Sequence, residues 1–414
     1  MDSELEQSQW WRIAAQIIEA GHTVSGDDLP RVLNEAVGLV GMTAQMYLVD
    51  LAQRTLRPVP KNHRAAVTVE GSLAGRAFQF VEVVAGTDPD EGVVLWLPML
   101  DGTERLGVLR LGLPDGADGD DAGLRQRCSV VAGLAGHLVA SKFPYGDVLK
   151  VARRSTPLTV AAELLWQLVP PLTFTSRDVV ITAVPEPHDR VGGDGFDYAV
   201  DDDVAFCGLF DAVGHDLQAG LATAVALAAI RNARRSGECD LNVIARRADA
   251  EIVAHGPHGR FVTAVLARLN TSTGKLSYLV AGHPRPLLLR ANKTVKALQH
   301  GRRTPLGVYG RDVEVVDEHL EPGDRLLLYT DGITEARDAR GRSFGSDRLI
   351  DFAERSGAGG LPAPETLRRL AHDVLKYQGG LLQDDATLLM LDWRPVNPDV
   401  APLPVDVAPL PVTE

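Results

Sequence analysis

The chain is poor in cysteine, with three among 414 residues. Cys128, Cys207 and Cys239 form no C-x-x-C pair and are odd in number. A disulfide framework is therefore excluded, and the three read as reduced thiols in a cytoplasmic protein. Positive charge is also in deficit: 42 Lys and Arg stand against 55 Asp and Glu, a formal net charge of -13. Clustered cations are what phosphate backbones need, so a nucleic-acid surface is excluded. Long apolar runs are absent too, the longest lying near Gly220 to Ile230 and being too short to span a bilayer. The opening MDSELEQSQWWR is acidic and lacks a cleavable apolar core, so neither export nor a membrane anchor is expected. With 45% hydrophobic residues the chain has material for two or three domains.

What is present is a set of aspartates placed where strands or loops should end: Asp194 in VGGDGFD, Asp211 in LFDAVGHD, Asp331 in YTDGITEA and Asp384 in QDDATLLML. Carboxylates converging from separate strand ends cannot all stay ionised in one cleft unless something neutralises them. Hard divalent cations held through carboxylate and water oxygens are the usual answer. Gly192, Gly193, Gly214 and Gly332 flank the first three motifs, and glycine lets the backbone approach closely or adopt positive φ. The pattern points to a Mg or Mn hydrolase.

Patterning divides the chain into an N-terminal helix (1–25), a mixed α/β domain (26–143), a linker helix (144–172), a second α/β region (173–394) and a tail (395–414). Trp10 and Trp11 on the first helix suit an interface, which makes a homodimer an expectation. The linker segment VARRSTPLTVAAELLWQLVPPL predicts a helix with Val160, Leu164, Leu165 and Leu168 at helical spacing, stopped by Pro170 and Pro171. Beyond it, Leu217 to Arg235 predicts a long helix, a second helix runs from Asp240 to Gly256, and RFVTAVLARLN and KLSYLVAGH predict a hairpin. The tail repeats VAPLPV and is too rich in proline to form a core.

The ordered set GGD, D-x-x-GH, AGHPRP, PLG, PGDRLLLYTDGITEA and DDATLL resembles the PPM-type (protein phosphatase 2C-like) serine/threonine phosphatases, in their SpoIIE-like branch, over roughly residues 155 to 393. Residues 26–143 resemble a GAF-type sensory domain through element order and the hairpin LWLPMLDGTERLGVLRLGL, with a PAS-like sheet as the rival reading. The fold class implied is α+β: a GAF-like α/β domain followed by an α/β/β/α sandwich. The segment before the sandwich matches the branch's A-E-x-Q-x-x-L-L-P-P-like motif at Ala162, Glu163, Gln167, Leu168, Pro170 and Pro171. A switch helix and a plain packing helix are both compatible with it.

The resemblance also implies a site. Two Mn or Mg ions would be bridged by Asp211, with the Ala212 carbonyl on one of them. Asp194 would hold the second ion, partly through water, and Asp331 and Asp384 the first, with Asp385 competing for the role of Asp384. Asp197 reads as either a support or a structural residue. In the wider superfamily a histidine two residues after the bridging aspartate is the acid candidate, but that position is Val213 here. His215 and His283 are the candidates that remain for protonating the leaving oxygen. Arg190, four residues before Asp194, falls where the superfamily often binds phosphate, and Arg suits bidentate phosphate contact. Asp216 reads as the cap of the helix at Leu217.

These features predict a phosphoserine/phosphothreonine protein phosphatase under a GAF-like domain. In the resembled branch the substrate is commonly a phosphorylated anti-sigma-factor antagonist of the STAS class. A non-catalytic phosphoprotein-binding module and a small-molecule phosphohydrolase are the rival readings.

Overall fold

The computed structural model describes residues 2–60, 64–186, 190, 192–291, 293–309, 313–358, 361–380, 382 and 384–395. Apart from Pro395, the proline-rich tail lies outside the described residues. Two compact units divide in sequence between Thr156 and Pro157.

In the first unit, the strands Thr43–Val49, Thr55–Val59, Val67–Thr68, Val84–Asp88, Gly92–Asp101 and Glu104–Gly112 form one antiparallel sheet. Its order is third, second, first, sixth, fifth, fourth. Alternation along the strands sends side chains to both faces. Leu95, Leu97, Leu109 and Leu111 pack with Ile13 and Ile17 of helix Asp2–Thr23 and with Val131, Ala135 and Val139 of helix Ala122–Lys142. Tyr47, Val49, Leu56 and Val108 face Phe78 of helix Leu73–Phe80. The first helix is thus part of this core and not a separate segment. It is also longer than its apolar pattern, because the polar residues that precede Trp10 continue the helix.

The expected linker helix is two short helices on either side of the division, Val148–Ala152 in the first unit and Val160–Leu168 in the second. Pro157 disfavours helical backbone at Thr156, and Thr159 restarts the chain by accepting the Ala162 N–H at 3.1 Å.

The second unit holds two six-stranded sheets. One carries Asp194–Asp201, Val204–Ala212, Val262–Asn270 and Lys275–Ala281 as successive antiparallel neighbours. The other carries Leu287–Arg290, Arg325–Tyr329, Ala386–Trp393 and Val179–Glu186. Period-two burial decides the layering. Leu209, Phe196, Val265, Leu326, Leu328, Leu389 and Leu391 share one core between the sheets. Phe206 and Phe210 turn outward onto helices Leu217–Arg235 and Leu241–His255. Leu388 and Met390 turn outward onto helices Gly345–Ala358 and Ala363–Tyr377. The result is an α/β/β/α sandwich.

Candidate active site

Strand register places the first two aspartates side by side. Asp211 pairs across the antiparallel ladder with Asp194 on one side and with Thr263 on the other. Residues directly opposite on a sheet lie close, and like charges there repel. Leu209 belongs to the core between the sheets, so Asp211, two residues on, opens at the end of that same core. From the facing sheet, Asp331 follows strand Arg325–Tyr329, and Asp384 and Asp385 precede strand Ala386–Trp393. The cluster therefore sits where the ends of both sheets face each other.

Proton affinities report the crowding. Burial first, then the charges of Asp331, Asp384 and Asp385, push Asp211 up to about 7. Burial, then Asp211 and Asp385, hold Asp194 well above the ordinary carboxylate range. Asp331 is raised by burial, then by Glu335 and Asp384. Anions that raise one another's pKa form a site with a deficit of positive charge.

Hydrogen bonds fix the inner residues. Thr330 donates to Asp194 Oδ2 at 2.8 Å, while Asp194 Oδ1 is buried without a hydrogen-bond partner among the described residues. Asp385 Oδ2 accepts from the N–H groups of Gly192, Gly193 and Asp194, whereas Asp384 is exposed and accepts the Asp385 N–H at 2.9 Å. The glycines are required by packing. A Cβ at Gly192 would lie 2.3 Å from the His215 carbonyl oxygen, and one at Gly193 would lie 2.7 Å from that of Ala212.

The two histidines differ sharply. His283 is buried, its Nδ1 lies 2.7 Å from Thr263 Oγ1, and burial lowers its pKa to about 3, so its ring is neutral at neutral pH. Thr263 in turn donates to Asp211 Oδ2 at 3.4 Å. His215 is exposed, between Gly214, with φ +93°, and Asp216. Asp216 caps helix Leu217–Arg235 by accepting the Ala219 N–H at 2.9 Å and pairs with Arg260 at 2.8 Å. Arg260 also donates to the Val213 carbonyl. Arg190 is an exposed turn residue. Asp197 is not in the cluster: it pairs with Arg231 at 2.8 Å and Arg234 at 2.5 Å.

Thr263, Thr330 and Arg260 were not among the residues singled out from sequence. Thr330 had a signal in its place beside Asp331, but nothing local marks Thr263 or Arg260. Among the described residues, no group of three His, Cys, Asp or Glu side chains is already arranged to hold a metal ion. The donor set is nevertheless all oxygen, and it contains a buried carboxylate oxygen that lacks a partner. Hard divalent cations fit such a set.

A sandwich of this layering, with carboxylates gathered at one end between its sheets, agrees with what the resemblance to PPM-type phosphatases implied for this region. Residues 201–394 match the family model described as Stage II sporulation protein E (SpoIIE). Phosphoserine phosphatase RsbU of Bacillus subtilis (strain 168) is 26% identical over 215 residues, covering 51% of this chain and 62% of the relative. Protein IcfG of Synechocystis sp. is 26% identical over 151 residues, covering 36% of this chain and 23% of that protein. The chain thus spans less than two thirds of either curated relative. Among solved structures, the SiaA-PP2C domain of Pseudomonas aeruginosa is 26% identical, covers 51% of this chain and 85% of that one, and superposes with a TM-score of 0.46. No helix among the described residues is long and apolar enough to cross a membrane.

Proposed function

We propose that the second unit is a Mn- or Mg-dependent serine/threonine protein phosphatase. The observation that carries this reading is the carboxylate cluster between the two sheet ends, in which Asp194, Asp211, Asp331 and Asp385 are all raised and Asp384 stands beside them. Two divalent ions, when bound, supply positive charge for the phosphoryl oxygens and lower the pKa of water. In this reading Asp211 would help to hold the ions, with the Ala212 carbonyl beside it. Asp194 offers its free Oδ1, and Asp331 and Asp384 close the opposite side. Mg and related ions keep several waters and use few carboxylates, which fits a cleft without three ready-made ligands.

His283 with Thr263 steadies Asp211. His215 is the histidine open to solvent and so the one placed to hand a proton to a leaving serine oxygen. Arg190 is retained as a phosphate contact.

That RsbU of Bacillus subtilis is a phosphoserine phosphatase supports a phosphoserine-bearing substrate, here read as a protein. A STAS-class anti-sigma-factor antagonist is the partner this reading favours. The first unit is read as a GAF-like regulatory domain, supported by its six-stranded antiparallel sheet with helices on both faces. Trp11, 75% exposed on the first helix, supports a homodimer, and the three free cysteines support a cytoplasmic location.

The test is Mn-dependent phosphate release from a phosphoserine peptide and an aryl phosphate by wild type, Asp211→Asn and Asp331→Asn. Activity should require metal and fall at least about a hundredfold in both variants. Equal turnover in wild type and variants would refute the two-ion site. A folded wild type that is inactive on every phosphoester would favour the phosphoprotein-binding module, and hydrolysis confined to free phosphometabolites the small-molecule enzyme.

A further inference from the structure

Two adjacent aspartates stand at the entry to strand Ala386–Trp393, and the structure gives them opposite tasks. Asp384 is exposed at the cleft. Asp385 is 6% exposed and points the other way, into the backbone of the Gly192–Asp194 loop. Its Oδ2 accepts three consecutive N–H groups, from Gly192 at 2.8 Å, Gly193 at 2.7 Å and Asp194 at 3.4 Å. Successive N–H groups converging on one anion form a nest, which fixes the local backbone. The three donors lie almost two hundred residues from Asp385 in sequence.

The same loop is clamped from its other side. Thr223 donates to the Gly193 carbonyl. Thr330 donates to Asp194 Oδ2, and the Thr387 N–H donates to Thr330 Oγ1 at 2.8 Å. Asp194 thus has its backbone N–H held by Asp385 and one carboxylate oxygen held by Thr330. The other oxygen, Oδ1, is left buried and unpartnered. Leaving a buried acceptor unsatisfied is costly, and here the cost falls on a carboxylate of the cluster itself.

We propose that Asp385 is a positioning residue: it holds the Gly192–Asp194 loop so that Asp194 presents Oδ1 to a divalent cation, and it does not itself hold the ion. This rests on the two-ion reading above. A carboxylate oxygen already shared among three N–H donors is poorly placed to ligate metal, whereas hydrogen-bonding partners that orient a ligand commonly change metal affinity by about 10–100-fold.

The experiment is calorimetric titration of Mn alone into the full-length protein, with amide hydrogen exchange of Gly192–Asp194 in the metal-free state. The variants are Asp385→Ala, Asp385→Asn and Asp211→Asn. Asp385→Ala should bind Mn about 10–100-fold more weakly and exchange those amides faster. Asp385→Asn keeps an acceptor oxygen and should stay within about threefold of wild type in both readouts. An Asp385→Asn as weak as Asp385→Ala would mean that the charge itself grips the ion, and would overturn the proposal. So would an Asp385→Ala that melts lower yet binds Mn normally, since that is a structural role alone. If Asp385→Ala does not fold, Asp385→Asn decides by the same criterion. Normal Mn binding by Asp211→Asn would instead sink the two-ion reading, whereas weak binding by Asp211→Asn beside normal binding by Asp385→Ala would sink only the positioning role.

Discussion

At the residue scale, the cluster makes a pH-dependent demand on stability. Asp211 titrates at about 7 in the fold against an ordinary value of 3.8, and Asp194 is raised as well. Between those values the folded protein binds more protons than the unfolded chain, so the free energy of unfolding falls as pH rises. Replacing Asp211 by Asn removes that titration together with the repulsion it feels. In EDTA, Asp211→Asn should therefore melt above wild type at pH 7.5, and the gap should shrink toward pH 5. Mn should reverse the order at pH 7.5, because ions bind the deprotonated ligands of wild type and stabilise it by about 2.7 kcal/mol at a hundred times the dissociation constant. Thermal melts of the two proteins at both pH values, with and without Mn, check this. A gap that is constant with pH would mean that Asp211 is not perturbed. The aspartates themselves were legible because glycines and chain reversals surround them. The division of labour between Asp384 and Asp385 was not, because two neighbouring acids are identical in sequence and only strand alternation decides which one turns to the loop.

At the scale of elements, the same alternation explains Asp197. Strand Asp194–Asp201 shows one face to the space between the sheets, where Phe196 is buried, and the other to helix Leu217–Arg235. Asp194 shares the face of Phe196, and Asp197, an odd number of residues away, takes the opposite one. There it meets Arg231 and Arg234, and Arg234 also lies 4.4 Å from the centre of the Phe206 ring. Those arginines lie toward the C-terminal end of helix Leu217–Arg235, and no local pattern connects them to the strand that supplies their buried partner. Removing one member of a buried pair leaves an uncompensated charge. Asp197→Ala should therefore cost about 3–5 kcal/mol in urea unfolding, with Mn affinity unchanged in the protein that remains folded. Lost Mn binding with intact stability would return Asp197 to the metal site. Helix Leu217–Arg235 was readable at both ends because Asp216 caps its start and Gly237, with φ +85°, follows its end. The segment from Val151 to Leu172 was misread as one helix because the apolar spacing from Val160 to Leu168 was extended back to Val151, while Pro157 and the Thr159 cap determine where the helix begins.

At the scale of the whole molecule, each core is closed within its own stretch of chain. The first unit's clusters draw on residues from Trp10 to Ala152, and the second unit's on residues from Trp166 to Trp393. Element order made the first unit's antiparallel sheet visible in the sequence, whereas the two sheets of the second came only from the resemblance, and only the burial pattern shows that Ile13 and Ile17 belong to the first core. A unit with its own core can fold alone, so the division at Thr156 and Pro157 defines an experiment. The fragment from Pro157 to Glu414 should fold in one cooperative step and release phosphate in a metal-dependent way from the phosphoserine peptide. Every carboxylate of the cluster and each residue that supports it, from Thr223 to Thr387, lies inside that fragment. Comparison with the full chain then isolates what the first unit does. A faster fragment means that the first unit restrains the site, a slower one means that it assists, and light scattering on both shows whether a dimer depends on it. A fragment that folds and binds Mn yet never turns over, beside an active full chain, would show that the catalytic arrangement is completed only in the intact protein, and the independence argued from the separate cores would then hold for folding but not for chemistry.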